Sequence, residues 1–202
     1  MFGLTRGRMI AIGIAVIAGV VVGVGLRLVM PGGDGVRTVG IADIGGPFHL
    51  IDQNGKPRSD GDFRGKLMLV EFGYTFCPDI CPLGLQLFAD VMDGLGPDAD
   101  QVQPIFITVD PKRDTPDQLR DYVAHFSPRI LGLTGSDQDI ATVAREYRVY
   151  YKLGADHDTN PNYTVDHSAI LYLMGRDGRF LTHFTHETPV DRVVSTIRSK
   201  LG

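Results

Sequence analysis

The 202 residues carry 20 Lys and Arg against 24 Asp and Glu, a net charge of −4, with 25 Gly, 12 Pro and two Cys. That length and a mean hydropathy of +0.01 suit one globular domain plus an accessory segment, and exclude a multidomain assembly or a mainly disordered chain. The charge is segregated: residues 1–30 hold three Arg and no acid, so the remainder bears 17 basic against 24 acidic residues. Such an acidic body excludes a nucleic-acid-binding role, which needs a basic face.

In chain order, the first feature is an uncharged run from Met9 to Leu26. At 1.5 Å per residue it reaches roughly 27 Å, near the thickness of a bilayer's hydrocarbon core. It exceeds the h-region of a signal peptide and no small-x-small cleavage site follows it, so residues 1–30 are expected to be a cytoplasmic N-terminus and one uncleaved transmembrane anchor, with a cleaved signal peptide as the alternative that Gly23-Val24-Gly25 inside the run leaves open. Arg6 and Arg8 precede the run and only Arg27 closes it. The positive-inside bias then leaves the N-terminus in the cytoplasm and the acidic domain outside, in the periplasm or an equivalent exported compartment. Residues 31–46, rich in Gly and weakly periodic, are expected to tether a domain over residues 47–202.

Within that domain, FHLID before Asn54-Gly55 predicts a strand entering a tight turn. Lys66 to Tyr74, KLMLVEFGY, is the near-continuous apolar run of a strand covered on both faces. After Pro82, Leu87, Phe88, Val91, Met92 and Leu95 recur at helical spacing. PIFITVD over Pro104 to Asp110 is another strand, and Thr115-Pro116-Asp117-Gln118 opens a helix with a capping hydroxyl and a first-turn proline. A short strand at Ile130 to Leu133, a helix at Asp137 to Tyr147, a hairpin of Ser168 to Met174 with Arg179 to Phe184, and a last helix at Val190 to Lys200 complete the order. Alternating strands and helices followed by a hairpin predict an α/β, thioredoxin-like domain with a mixed central sheet.

The chemistry centres on Cys77 and Cys81 in GYTFCPDICP. They follow a buried strand, where open α/β sheets build their sites, and the next helix N-terminus favours thiolate. If the second half of CPDIC is helical, both sulfurs share a face. A structural staple is disfavoured, because closing so short a loop stabilises by only about 2 kcal/mol against about 4.7 for a hundred-residue loop. Thioredoxin-type reductants use CxxC, and a peroxiredoxin site wants Thr where Tyr74 stands. A metal site on two thiolates needs a third donor. His49, His125, His183 and His186 fall in or beside strand and helix patterns and His157 in a polar loop, whereas His167 stands at the start of the apolar strand SAILYLM. In a thioredoxin-like sheet the loop before that strand lies against the cysteine-bearing turn, which makes His167 the candidate. Two thiolates and an imidazole suit Cu(I) and also hold Cu(II), and zinc with an open fourth position satisfies the same donors.

YTFCPDICP, VDPKRDTP (Val109 to Pro116), FSPRILGLTG (Phe126 to Gly135), YRVYY (Tyr147 to Tyr151) and YTVDHS (Tyr163 to Ser168) together resemble the Sco/SenC family of copper proteins. The resemblance covers the whole expected exported domain. It implies a thioredoxin-like fold on one membrane anchor and a copper ion held by Cys77, Cys81 and His167. It further implies delivery of copper to the CuA centre in subunit II of cytochrome c oxidase, with a separate protein as copper donor, or reduction of that centre's cysteines. Asp110, Arg113 and Asp114 match the family's acidic-basic stretch, where support of the site, partner docking and a plain helix-leading loop are equal alternatives. Asp166 is expected to orient the His167 ring or to add negative charge beside it. The rival to a metallochaperone is an enzyme, a thiol-disulfide reductase working through Cys77 and Cys81. A copper or redox sensor is a weaker third reading, since the chain has no evident output module.

Overall fold

The computed structural model describes residues 44–202. The expected anchor and most of the expected tether lie outside those residues. Among the described residues no helix is long and apolar enough to cross a membrane. The chain is already held at the start of the described part: Ile44 packs against the core and the Gly45 N–H donates to the Glu146 carbonyl at 2.8 Å.

Strand β1 (His49–Asp52) turns through Gly55, whose φ of +75° suits a residue without a Cβ, into β2 (Pro57–Ser59). Strand β3 (Leu67–Gly73) is buried at every position. It runs parallel to β4 (Val102–Thr108) and antiparallel to β8 (Leu171–Met174). Between β3 and β4 lies helix α1 (Ile80–Leu95). Pro82 sits in its first turn, where backbone N–H groups lack intrahelical acceptors anyway and a proline costs little. Helix α2 (Pro116–Ala124) starts as the sequence predicts, with the Thr115 hydroxyl accepting from the Gln118 N–H. Strand β5 (Leu131–Thr134) and helix α3 (Asp137–Glu146) follow, the latter opened by a reciprocal Ser136–Asp139 capping box. After β8 the chain returns through β9 (Phe180–Phe184) and ends on helix α4 (Val190–Leu201).

The sheet has seven strands in the order β2-β1-β5-β4-β3-β8-β9, with parallel and antiparallel neighbours, which is the expected mixed α/β arrangement. Strand alternation assigns its faces. Phe106 of β4 meets Tyr122 of α2, and Glu71 of β3 lies opposite Phe106 in register, so α1 and α2 cover one face. Phe72 points the other way, where its ring meets Tyr147 at the end of α3 at 5.3 Å. Besides the short β2, two strands have no counterpart in the sequence reading. Strands β6 (Tyr151–Leu153) and β7 (Val165–His167) pair as a separate two-stranded ribbon. His167 therefore ends that ribbon rather than opening β8.

Candidate metal centre

Strand β3 delivers the chain to the carboxyl edge of the sheet, and the Val109 N–H bonded to the Gly73 carbonyl at 2.8 Å extends the β3–β4 ladder to that edge. Cys77 lies in the loop that follows, and Cys81 in the first turn of α1. The helix start comes so close to the strand that a Cβ on Gly73 would lie 2.6 Å from Cys81 Sγ and 2.8 Å from the Phe106 ring, so only glycine fits there. One turn further on, a Cβ on Gly84 would lie 2.2 Å from the Glu71 carboxyl. These two glycines let α1 settle on β3 and fix the depth of Cys81.

The β6–β7 ribbon brings in the third donor. Tyr151 pairs with His167, and the Ser168 N–H donates to the Tyr150 carbonyl at 2.9 Å. His167 Nε2 then lies 3.3 Å from Cys81 Sγ, and the donor atoms of Cys77, Cys81 and His167 all fall within 4.8 Å of one another. Among the described residues this is the one such trio of His, Cys, Asp or Glu. His125 and His157 face the carbonyls of Asp121 and Gly154 with Nδ1, and His49, His183 and His186 do not join the trio. His167 Nδ1 faces the Ser168 carbonyl at 3.2 Å, which fixes the ring with Nε2 toward the sulfurs. The Tyr74 ring meets the imidazole edge-on at 5.7 Å between centroids.

The thiols are inequivalent. Cys81 is wholly buried, whereas Cys77 keeps 8% of its surface exposed. A hydrogen bond from Cys81, helped by His167 and nearby backbone N–H groups, holds the Cys77 thiol well below its ordinary range against the opposing effect of burial. The same shared hydrogen bond, then burial and the Glu71 carboxyl, keep the proton on Cys81. The pair thus behaves as one thiolate sharing one proton. As a donor set, two soft sulfurs and an imidazole nitrogen at a partly open edge fit a thiophilic ion such as copper or zinc.

The surroundings decide the alternatives left by VDPKRDTP. Asp114, wholly buried, accepts from the Thr75 N–H at 3.0 Å and the Thr75 and Thr108 hydroxyls at 2.6 Å each, which pins the loop that carries Cys77. Asp110 accepts from the Tyr163 hydroxyl at 2.6 Å and from Arg113 Nε. Both carboxylates support the site from within. Of the two roles expected of Asp166, orienting the ring is corrected: the residue is exposed beside His167, because successive residues of a strand point to opposite faces, and Tyr74 and the Ser168 carbonyl contact the ring instead. Sequence reasoning also passed over Glu71, whose carboxyl is fully buried and whose Oε2 has no hydrogen-bond partner. The signal was there, since a lone acid in a strand covered on both faces has no route to water.

Comparison with known proteins gives the relationship. The SCO1/SenC family matches residues 37–202. The chain is 40% identical over 157 residues to a SCO2-like protein of Rickettsia conorii, covering 78% of this chain and 77% of that one. It is similar to the solved structure of Bradyrhizobium japonicum ScoI with copper bound, with a TM-score of 0.72 and 44% identity over 78% of this chain and 99% of the other. It also resembles BsSco, described with a disulfide switch as a member of the Sco family of cytochrome c oxidase assembly proteins. That likeness has a TM-score of 0.64 and 27% identity over 79% of this chain and 94% of the other. Matched along most of its length and folded alike, the chain belongs to the SCO1/SenC family.

Proposed function

We propose that the chain is a membrane-anchored copper chaperone, facing the exported side, that holds copper through Cys77, Cys81 and His167 and hands it to the CuA site of cytochrome c oxidase subunit II. One observation carries this reading: three donors of the right softness converge within 4.8 Å, with His167 arriving from 86 positions beyond Cys81. The likeness to a copper-bound relative supports the choice of copper over zinc.

The asymmetry of the pair suits a cargo that must leave. Cys77 offers a thiolate without first losing a proton at neutral pH, and Cys81 must give its proton up on metal binding. Cys81, in the first turn of α1, is wholly buried, while Cys77 keeps a small exposed edge and His167 is half-buried, so an incoming donor from the client approaches from their side. Exchange of one ligand for another then moves the ion with no acid or base catalyst. Oxidation of the thiols to a disulfide removes two donors at once, which ties copper loading to redox state.

A second reading, thiol-disulfide reductase, is favoured by the same asymmetry. The Cys77 thiolate would attack a client disulfide to form a mixed disulfide. Cys81, having lost its proton, would then attack Cys77 sulfur, releasing the client's dithiol and leaving the Cys77–Cys81 disulfide. The test is copper stoichiometry and affinity of the full chain, reduced and oxidised, with and without His167. The chaperone reading expects one copper per reduced chain, loss on oxidation, and weak binding in His167→Ala, whose thiols still reduce a client disulfide. If His167→Ala cells mature their oxidase as the unaltered cells do, the reading is wrong.

A further inference from the structure

The two halves of the metal centre come from different places. The cysteines sit on the β3–α1 loop, and His167 arrives at the end of a ribbon that no strand of the main sheet pairs with. Something must hold that ribbon in register with the cysteine loop. Arg113 touches both. Its side chain is only 11% exposed, and its Nη1 donates to the carbonyls of Pro161 at 3.1 Å and Tyr163 at 2.9 Å, in the segment that leads into β7. The guanidinium lies 3.6 Å over the Tyr163 ring, 4.7 Å from the Phe76 ring and 5.6 Å from the Tyr74 ring. Phe76 is the neighbour of Cys77, and Tyr74 is the ring that meets His167 edge-on.

We propose that Arg113 is a positioning residue of the metal centre, clamping the segment that carries His167 against the loop that carries Cys77. A merely local role in the turn before α2 would need only the bond to Asp110, three residues away. The bonds to Pro161 and Tyr163 and the stacking on three rings span about fifty positions and both walls of the site. The chemistry is particular to arginine. A planar fork can donate in its plane to carbonyls while its face lies on an aromatic ring, whereas a lysine ammonium offers one compact charge and cannot do both. Asp110 fixes the clamp's orientation by holding Nε on one oxygen and the Tyr163 hydroxyl on the other. Release of the clamp frees His167 while Asp114 still pins the cysteine loop, so the loss falls on the histidine half.

The inference rests on the reading of His167 as a ligand, and one experiment separates the two. Cu(I) affinity is measured by chelator competition, and the thiolate-to-Cu(II) absorption band is recorded, for the full chain and for Arg113→Lys, Arg113→Met, His167→Ala and the Arg113→Met/His167→Ala double variant. Arg113→Met is expected to lose about 10–100-fold in affinity, the usual cost of removing a group that orients a ligand, and to shift the band toward that of His167→Ala. Arg113→Lys is expected to fall between. In the double variant the arginine change adds nothing, because it acts through a histidine already gone. Wild-type affinity and spectrum in both arginine variants, or losses that add in the double variant, overturn the inference. Should Arg113→Met fail to fold by circular dichroism, Arg113→Lys alone and combined with His167→Ala decides on the same terms. If His167→Ala binds copper as the unaltered chain does, the ligand reading falls and this inference with it. If His167→Ala weakens binding and the arginine variants do not, Arg113 alone loses its role.

Discussion

Asp114→Ala tests how the cysteine loop is held. The carboxylate is wholly buried and accepts three hydrogen bonds, two of them from Thr75, two residues before Cys77. The Thr108 hydroxyl that donates to it also accepts from the Asp110 N–H at 2.9 Å, so the loops after β3 and β4 share one network. Alanine removes three bonds worth about 1 kcal/mol each and strands the Thr75 N–H, which cannot rotate to another acceptor, at a further cost of about 1–2 kcal/mol. The expected loss is about 4–5 kcal/mol, or roughly 8–20 °C in Tm for a domain of this size. Thermal and urea unfolding of the metal-free chain, followed by circular dichroism, reads it. Asp114→Asn keeps one acceptor oxygen and is expected to lose about half as much, and Thr75→Val, which removes a single hydroxyl donor, about 1 kcal/mol. A loss under about 1 kcal/mol in Asp114→Ala would refute the argument, since the donors would then have found partners the structure does not offer. A loss in Ala with none in Asn would assign the effect to packing, because asparagine keeps the volume of the side chain.

Further predictions concern the buried acid and the thiols. Burial, and then the neighbouring Cys77 thiolate, hold the Glu71 carboxyl well above its ordinary value of 4.5. The unfolded chain therefore releases this proton while the folded chain keeps it, so the group's effect on stability becomes unfavourable as pH rises above the ordinary value. Glu71→Gln is expected to gain stability relative to the unaltered protein at pH 7 compared with pH 4.5, measured by urea unfolding at both; an unchanged difference between the two pH values would contradict it. Iodoacetamide at pH 6 is expected to modify Cys77 first, because it is the deprotonated and the less deeply buried thiol. Mass spectrometry locates the adduct, and a first adduct on Cys81 would reverse the assignment of thiolate and thiol.

Much of the domain could be read from local pattern. A strand covered on both faces shows as an unbroken apolar run, and β3 is that run; the helices of the domain show the 3.6 period, and Thr115 caps α2 as its type and place require. Cys77 and Cys81 were legible because a strand end followed by a helix start is set by adjacent residues. His167 was legible from its place before an apolar strand, although the short ribbon that presents it was not: three-residue strands carry too few alternations to register as a period.

The sequence by itself determined the order of the helices and longer strands, the donor types and the topological edge at which they gather, since each depends on neighbours a few positions apart. Only the tertiary structure decided which groups serve those donors. Arg113 reaches Tyr163, Asp114 reaches Thr75, Glu71 lies under α1 at Gly84, and Asp166 turns away from the ring beside it. Contacts across tens of residues are settled by how strands and helices stack, by the absence of a Cβ at Gly73 and Gly84 and by which face of a short ribbon meets the sheet. None of these leaves a periodic mark along the chain.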